Sequence, residues 1–355
     1  MKIATVVGAR PQFVKAAPLS HALRSAGHQE VLIHTGQHYD FRMSDVFFQE
    51  LDIPAPDVNL GIGSGTHGAQ TGAMLVGIER ILLAERLDLL VIYGDTNSTL
   101  AGALAAAKLH VPVAHVEAGL RSFNRRMPEE INRVVADHVA TLLLCPTAQA
   151  VRNLSAEGIT RGVYEVGDLM LEALQTKLRD GLPPVDVLES LSIAPGHYIL
   201  ATVHRAENTD DPRRLQAILS ALSSLREPVL LPVHPRTRAI IQQGAFDIGG
   251  SLHLVEPFGF TDMLRAEQHA RVIVTDSGGV QKEALWLGVP CVTLREETEW
   301  VETVESGWNT LVGANPIAIK HAVESARRPP PLSGAEPSRL PSERIRAVLE
   351  EWSTA

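Results

Sequence analysis

The stretch Arg-Val-Ile-Val-Thr-Asp-Ser-Gly-Gly-Val-Gln-Lys-Glu-Ala, residues 271–284, predicts a strand, a glycine turn and the start of a helix. Gly278 and Gly279 let backbone amides approach an anion closely, and the positive end of the helix dipole lies at the same place. Glu283, farther along the helix, can accept hydrogen bonds from the vicinal hydroxyls of a sugar, as acidic residues do in dinucleotide sites. Taken alone, the motif favours a nucleotide-binding turn and an ordinary strand-to-helix turn about equally.

The same alternation of strand and helix continues along the whole chain. Apolar runs of strand length occur at 3–7, 30–34, 89–93, 111–115 and 142–145, and again at 198–203, 228–233, 252–255, 272–275 and 291–294. Helix-period segments between them predict an α/β fold with parallel sheets covered on both faces. Asp180 to Pro184 interrupts the pattern. We therefore predict two Rossmann-like, doubly wound domains, residues 1–170 and 171–340, with a last helix at 341–355 that packs back on the first domain.

Composition narrows the class of protein. The 355 residues are enough for two domains of about 150 to 180 residues each. A net charge of −9 argues against a nucleic-acid partner. No apolar run approaches the roughly 18 residues of a membrane span, and the chain enters a strand without a signal peptide, so we expect a cytoplasmic protein that does not contact the membrane. Cys145 and Cys291 each lie beside a proline and are interpreted as buried thiols, neither a disulfide nor a metal site.

Polar loops follow the predicted strands, where open parallel sheets bind their ligands. A single such residue is more often a helix cap, and Asp95 is placed to cap a helix that starts near Ser98. Capping does not explain a whole set of loops rich in Arg, His, Asp and Glu. We therefore predict an active site in one shared cleft. The loops are residues 8–12, 35–38, 94–98, 116–121, 204–208, 234–237 and 276–279.

Three carboxylates of the first half are candidates for proton transfer: Asp95, Glu117 and Glu129. Glu129 and Glu130 also have a simple structural explanation, because acids after a proline in a first helical turn complement the helix dipole. Four cations, Arg10, Lys15, Arg121 and Arg133, either neutralise these carboxylates or face a pyrophosphate. Their spacing does not decide between the two.

Two absent motifs exclude common cofactor chemistries. The first turn, Gly8-Ala9-Arg10-Pro11, lacks the Gly-x-Gly-x-x-Gly of a nicotinamide site, and the chain contains no ATP-type P-loop. His34 and His38 straddle a strand end and are interpreted as loop histidines, not as a metal pair. We expect neither a cofactor nor a metal.

An ordered set of motifs resembles the non-hydrolysing UDP-N-acetylglucosamine 2-epimerases, over Met1 to about Gly313. The motifs are Gly-Ala-Arg-Pro-Gln-Phe-Val-Lys (8–15), Gly-Asp-Thr (94–96), His-Val-Glu-Ala-Gly-Leu-Arg (115–121), Pro-Glu-Glu-Ile-Asn-Arg (128–133), His-Arg-Ala-Glu-Asn (204–208) and the 276–283 segment. The resemblance implies two Rossmann-like domains of the GT-B type, a UDP-sugar in the cleft between them, and a homodimer.

The resemblance also implies a reaction, the conversion of UDP-GlcNAc to UDP-ManNAc for cell-surface polysaccharide precursors. Loss of UDP from C1 acidifies the C2 hydrogen, a carboxylate removes it to give a 2-acetamidoglucal, and UDP adds back after protonation on the other face. Such a reaction needs an acid, a base and a tightly held leaving group.

Roles for individual residues follow from motif position. Asp95, Glu117 and Glu129 would form the acid and base group, with Lys15 and His204 as the other catalytic candidates; which carboxylate acts on which face stays open. The glycine turn and Arg295 would hold the phosphates, Glu283 the ribose, and His204 would lie near the diphosphate. The implied substrate-binding residues are Arg10, Arg133, Arg205, His234, Ser277, Gly278, Gly279, Glu283 and Arg295.

Departures from the family pattern concern the sugar. Residues 298–302 read Thr-Glu-Trp-Val-Glu where many members have Thr-Glu-Arg-Pro-Glu, and the 122–124 and 209–211 segments are closer to the branch acting on UDP-2,3-diacetamido-2,3-dideoxy-glucuronate. The C3 and C6 substituents therefore stay open. Ala69-Gln70 stands where some members carry an allosteric Arg-Gln pair, so substrate activation stays open too. A GT-B glycosyltransferase, a hydrolysing epimerase and a non-catalytic sensor are the alternatives.

Overall fold

The computed structural model describes residues 1–37, 53–180, 186–233, 235–244, 246, 248–330 and 339–354. The chain divides into two compact units. The first comprises Met1–Thr176 together with Glu336–Ala355, and the second comprises Lys177–Ala335.

The first unit is built on a parallel sheet in the order β3-β2-β1-β4-β5-β6-β7. Its described strands are β1 Lys2–Val7, β2 Gln29–His34, β3 Val58–Asn59, β4 Leu89–Tyr93, β5 Val113–Val116, β6 Leu142–Cys145 and β7 Val163–Glu165. Its described helices before the second unit are α1 Arg10–Ser25, α2 His67–Ala84, α3 Asn97–Lys108, α4 Pro128–Val139, α5 Ala148–Ala156 and α6 Leu169–Asp180.

The second unit repeats the plan with a sheet in the order β10-β9-β8-β11-β12-β13. Its described strands are β8 Ile199–Thr202, β9 Val229–Pro232, β10 Leu252–Val255, β11 Val272–Thr275, β12 Cys291–Thr293 and β13 Asn309–Leu311. Its described helices are α7 Asp186–Ser190, α8 Ala206–Thr209, α9 Pro212–Ser223, α10 Pro235–Gln243, α11 Phe260–His269, α12 Gly278–Leu287, α13 Val301–Glu305 and α14 Pro316–Ser325.

These sheets confirm the predicted α/β class with two doubly wound parallel sheets. In each sheet the strand order reverses at one place, between β1 and β4 in the first unit and between β8 and β11 in the second. Such reversals open a crevice at the carboxyl ends of the strands, where ligands bind in this fold class. Gly8 and Gly94 follow the strands at the first reversal; His204 and Asp276 lie just after the strands at the second.

The predicted strands are present, and their ends have local causes. The strand predicted at 111–115 is observed as β5, which begins at Val113, because Pro112 has no amide to donate to the ladder. Three short strands escaped prediction, β3, β7 and β13, and all three lie at sheet edges. Edge strands of two or three residues bury too few side chains to produce a recognisable apolar run.

Small residues bring α3 close to the first sheet. Ala101, Ala103, Ala105 and Ala106 are buried in its core, and a Cβ built on Gly102 would lie 3.0 Å from Ile92 Cγ2. This close packing fixes the N-terminal end of α3, which lies directly after the Gly94-Asp95 turn.

The last described helix, α15 (Pro341–Thr354), packs against α1 in the first unit. Ser342 donates to the Glu172 carboxylate through its backbone N (2.8 Å) and its hydroxyl (2.6 Å). His28 Nε2 lies 3.1 Å from Glu350 Oε1 near the other end of the helix. None of the helices in the described part of the chain is long and apolar enough to span a membrane.

Candidate active site

Glu117 ends β5 in an unusual backbone conformation. Its φ is +69°, a left-handed conformation that costs a non-glycine residue about 1–3 kcal/mol and is concentrated at functional sites. Gly94, in the turn after β4, has φ +61°, and a Cβ placed there would lie 3.0 Å from Glu117 Oε2. The turn that leads to Asp95 and the side chain of Glu117 are therefore in close contact.

Lys15 of α1 forms an ion pair with Glu117, and both side chains are almost buried, at 11% and 12% exposure. Burial raises the pKa of Glu117 against the opposing charge of Lys15, and Asp168 and Asp95 raise it further, so the net pKa lies above the usual range. For Lys15, burial lowers the pKa, but Glu117, Asp168 and Asp95 outweigh it and the net pKa is raised. The pair thus combines a firmly protonated amine with a carboxyl whose proton affinity is enhanced.

Asp95 pairs with Arg133 of α4, which is almost fully buried, while the Asp95 side chain is 31% exposed. Asn132 Nδ2 donates to the Asp95 carbonyl at 2.9 Å. The prediction that Asp95 caps the next helix was wrong: Thr96 is the N-cap of α3, and its side chain accepts from Thr99 N. A hydroxyl in the cap position leaves the Asp95 carboxylate available to the site.

Asp168 is a member of this cluster that sequence reasoning missed. It follows β7, is 9% exposed, and accepts from Met170 N at 2.9 Å through one oxygen. Its charge acts on both Lys15 and Glu117. The Val-Gly-Asp turn at 166–168 is the sequence signal for this residue. Because β7 was not predicted, the loop after it is not among the predicted strand-end loops.

Glu129 and Glu130 differ sharply in their surroundings. Glu130 is 2% exposed and holds the next loop, accepting from Ser122 N, Ser122 Oγ and Phe123 N, each at 2.9 Å. Glu129 is half-buried in the first turn of α4 and forms no hydrogen bond or ion pair with any other described residue. Glu130 therefore has a structural role, whereas the Glu129 carboxylate has no comparable contact within the described residues.

Arg121 is a buried cation that neutralises two carboxylates, those of Asp137 and Glu157. It is 2% exposed and pairs with Asp137 (2.6 Å) and, through two nitrogens, with Glu157 (2.7 Å each). Burial lowers its pKa, but these two carboxylates outweigh burial and the net pKa is raised. Arg121 therefore neutralises interior carboxylates, and not Asp95, Glu117 or Glu129 as one of the two alternatives predicted.

In the second unit, the buried Asp276 organises the loop after β8. It accepts from the backbone N of His204 and of Arg205 at 3.1–3.2 Å and from Asn208 Nδ2 at 3.1 Å, and it lies 3.2 Å from His204 Nδ1. Burial raises its pKa, but His204, Asn208 and Arg205 outweigh burial and the net pKa is lowered. The His204 side chain is left 55% exposed at the end of the sheet.

The glycine turn forms the N-terminus of α12 as the sequence predicted. Ser277 is the N-cap and accepts from Val280 N. The backbone of Gly278 lies close to Glu299, because a Cβ there would be 2.4 Å from Glu299 Oε1 and would require that carboxylate to move. The free amides of a helix start and the adjacent bare backbone together make a site for an anion.

The other predicted binding residues of this unit are buried close to the turn. Glu283 is 8% exposed and lies on α12. Arg295 is 2% exposed, and its Nη2 lies 2.9 Å from Glu299 Oε2. Arg205 Nη2 approaches the other oxygen of Glu299 at 4.0 Å. Glu299 therefore links two of the predicted substrate-binding arginines, a role that sequence reasoning did not assign.

Some predicted positions lie outside the described residues: the side chain of Arg10, and His38 and His234. Within the described ranges, no group of three or more His, Cys, Asp or Glu residues is arranged to hold a metal ion. Cys145 and Cys291 are buried free thiols, as predicted. Burial raises the pKa of each thiol to about 12.

Comparison with known proteins identifies the family. A family model described as UDP-N-acetylglucosamine 2-epimerase matches residues 21–339. The chain belongs to the UDP-N-acetylglucosamine 2-epimerase family. Members of this family are isomerases, which favours epimerisation over the glycosyl transfer considered above.

Individual relatives are similar over most of their length. A UDP-N-acetylglucosamine 2-epimerase homolog of Methanococcus maripaludis is 54% identical over 320 residues, 89% of each chain. UDP-2,3-diacetamido-2,3-dideoxy-D-glucuronate 2-epimerase of Pseudomonas aeruginosa is 50% identical over 334 residues, 92% of each chain. The crystal structure of Methanocaldococcus jannaschii UDP-GlcNAc 2-epimerase in complex with UDP-GlcNAc and UDP superimposes with a TM-score of 0.90 at 41% identity, covering 99% of this chain and 100% of the other.

Proposed function

We propose that this protein is an epimerase that inverts C2 of a UDP-2-acetamido sugar, interconverting UDP-N-acetylglucosamine and UDP-N-acetylmannosamine. The observation that carries the proposal is the buried Lys15–Glu117 pair. Its carboxylate lies on a left-handed backbone after β5, the strand beside β4 of the first topological reversal, and is close enough to Asp95 and Asp168 for their charges to raise its pKa. Family membership supplies the nucleotide sugar, and this cluster supplies the proton-transfer groups.

The C2 hydrogen of the sugar is not acidic, because its neighbour is an acetamido group and not a carbonyl. Breaking the C1–O bond solves this: the electron pair leaves with UDP, positive charge builds at C1, and the C2 proton becomes removable. A carboxylate takes the proton and a C1–C2 double bond forms. Protonation of C2 on the opposite face and return of UDP to C1 complete the inversion, with no net gain or loss of electrons.

Glu117 suits one of these proton transfers. Burial, Asp168 and Asp95 raise its pKa despite Lys15, so Glu117 binds a proton more readily than an ordinary carboxylate does. A pKa closer to the working pH is the condition for efficient general acid–base catalysis. Lys15, whose pKa is raised, stays cationic and stabilises negative charge beside it. Asp95 or Glu129 is the partner for the opposite face.

The second unit is proposed to hold UDP. The α12 N-terminus, from Ser277 through Gly278 and Gly279, receives the diphosphate, and Arg205 and Arg295 neutralise it. Glu283 receives the ribose hydroxyls, and His204 lies at the diphosphate. Arg10, Arg133 and His234 complete the proposed set of binding residues.

A second substrate has specific support. The P. aeruginosa diacetamido-glucuronate enzyme is 50% identical to this chain, between the 54% of the M. maripaludis UDP-N-acetylglucosamine 2-epimerase homolog and the 45% of the M. jannaschii UDP-N-acetylglucosamine enzyme. Arg125 and Arg126 are exposed on the loop between β5 and α4, and either cation suits the C6 carboxylate of a uronate. Replacing Arg125 and Arg126 together by Gln then lowers kcat/KM for the uronate and leaves that for UDP-N-acetylglucosamine unchanged; equal effects on both would count against this substrate.

The decisive experiment is proton NMR in D2O with UDP-N-acetylglucosamine in one tube and the diacetamido uronate in another. Deuterium at C2 with an intact nucleotide sugar of the manno configuration is expected, and the faster tube identifies the preferred sugar. Accumulation of free UDP and free sugar would favour a hydrolysing enzyme. No exchange in either tube would favour transfer to an acceptor.

The assembly and setting are part of the same proposal: a homodimer, in the cytoplasm, supplying precursors of cell-surface polysaccharide. The outer face of α2 supports self-association, since Val76 (44%) and Leu83 (69%) are exposed beside Ala69, Gly72 and Ala73. The two buried free cysteines are compatible with a reducing compartment. Light scattering tests the dimer, and Val76→Glu is expected to shift it toward monomer.

A further inference from the structure

His115 of β5 is completely buried and makes two short contacts. Its Nδ1 lies 2.7 Å from Asp137 Oδ1, and its Nε2 lies 2.7 Å from the Gly94 carbonyl oxygen. The first partner lies on α4 and the second lies in the turn that leads to Asp95. One imidazole ring, on the strand that leads to Glu117, thus connects α4 to the turn that carries Asp95.

Both partners of the ring are acceptors. A backbone carbonyl has no proton to give. Asp137 is ionised as well: burial raises its pKa, but His115 and Arg121 outweigh burial and the net pKa is lowered. It also accepts from Gly119 N at 3.1 Å and from Arg121 at 2.6 Å. A neutral imidazole would turn a lone pair toward one of its two acceptors, so the contacts assign a proton to each ring nitrogen.

The buried Asp137 carboxylate is surrounded by groups that suit an imidazolium. His115 lies at its Oδ1 and the Arg121 guanidinium at its Oδ2, and the second partner of Arg121, Glu157, is partly exposed at 28%. Cys145, which is also close to Asp137, is a neutral thiol because burial raises its pKa to about 12. An imidazolium gives each oxygen of the buried carboxylate a cationic hydrogen-bond donor, and buried charges are tolerated when they are paired and hydrogen-bonded.

We propose that His115 is a positioning residue with both ring nitrogens protonated, and that its N–H donation to the Gly94 carbonyl fixes the relative placement of Asp95 and Glu117. The inference rests on the proposed epimerase function. His115 itself does not touch the substrate. Gly94 is in a left-handed conformation and in near contact with Glu117 Oε2, so a shift of its carbonyl displaces both carboxylates. An ordinary buried histidine would fill space and carry one proton.

The protonation state can be measured on the wild-type protein. In nitrogen-15 NMR of histidine-labelled protein at the pH of the assay, we expect both ring nitrogens of His115 to show a directly bonded proton. His321, which is exposed on α14, is the reference ring, and the His321→Asn variant checks its assignment. A single proton on His115 would overturn the proposal whether or not the protein is an epimerase.

Two variants separate positioning from packing. The amide of His115→Gln reaches the place of Nε2 and can still donate to the Gly94 carbonyl, whereas that of His115→Asn reaches only the place of Nδ1. We expect Asn to lower kcat about 100-fold, the usual effect of misplacing catalytic groups by about 1 Å. Gln should restore most of this loss, and UDP affinity should be unchanged in both. Equal kcat values in two variants of equal thermal stability would contradict the positioning role.

If wild-type protein fails to exchange deuterium into either nucleotide sugar, the proposed function fails and the variants lose their readout. The NMR result does not depend on turnover and stands in that case. The two failures are therefore distinguishable.

Discussion

Replacing Lys15 by Met tests the electrostatics of the proposed base. In the wild-type protein, burial, Asp168 and Asp95 all raise the pKa of Glu117, and Lys15 is the main group that lowers it. Breaking a buried pair leaves an uncompensated charge at a cost of about 3 kcal/mol. Because one pKa unit corresponds to about 1.4 kcal/mol, the pKa of Glu117 is expected to rise by up to about two units.

The assay is the pH dependence of kcat/KM, followed by deuterium exchange at C2. A base must be deprotonated to act, so the acidic limb of the profile moves to higher pH and activity at neutral pH falls up to about 100-fold. The free energy of unfolding is expected to depend on pH as well. Glu117 has a raised folded-state pKa, so protonation favours the folded state, and the loss of stability in the variant should grow as pH rises through that pKa.

Lys2→Met is the matched control. Lys2 also forms an ion pair, with Glu85, but at the opposite end of β1, and the two side chains are 27% and 43% exposed. Its removal should change stability by less than about 1 kcal/mol and leave the pH profile in place. An unmoved acidic limb in Lys15→Met, with folding intact, would refute the assignment of Glu117 as the titrating base.

Three further outcomes are expected. Glu117→Gln should abolish C2 deuterium exchange while UDP affinity stays within a few fold, and normal exchange would remove Glu117 from the mechanism. Gly94→Ala should cost about 1 kcal/mol in thermal unfolding, because φ is +61°, and should lower kcat, because the new methyl group meets Glu117 Oε2; wild-type kcat would show that this contact is not needed. Asp276→Asn should weaken UDP binding about 10-fold, because it releases the loop that carries His204. The pKa of Asp276 is lowered in the folded state, so its ionised form stabilises the fold above the usual Asp pKa, and this stabilisation is lost as pH falls through the lowered pKa. The variant should lack this pH-dependent part of the free energy of unfolding. Calorimetric titration with UDP checks the affinity, and an unchanged Kd would separate Asp276 from nucleotide binding.

The order of strands and helices could be predicted because each buried strand leaves an apolar run between helix-period segments. The loops at the strand ends could be identified for the same reason, and they contain Asp95, Glu117 and Ser277. Asp168 was missed because β7 is three residues long and half exposed. A signal that depends on burial disappears at a sheet edge.

The direction of a side chain was harder to predict than its position. Arg121 occupies a strand-end loop and yet points into the interior, because Asp137 on α4 and Glu157 beyond α5 meet it there. Those partners are 16 and 36 residues away in the chain. Similarly, the left-handed backbone of Glu117 depends on the packing of two loops. Neither effect is visible in the spacing of residues within one motif.

The return of α15 to the first unit has a consequence for biosynthesis. About 165 residues separate the end of the first segment of that unit from α15. At translation rates of about 5–20 residues per second, the completed first segment, which contains α1, waits about 10 to 30 seconds for this partner. Contacts between residues far apart in the chain form last, such as that between His28 and Glu350, which are 322 positions apart. Until then the surface of α1 that α15 covers is open to chaperones and to neighbouring nascent chains, so the vulnerable period of this protein falls late in its synthesis.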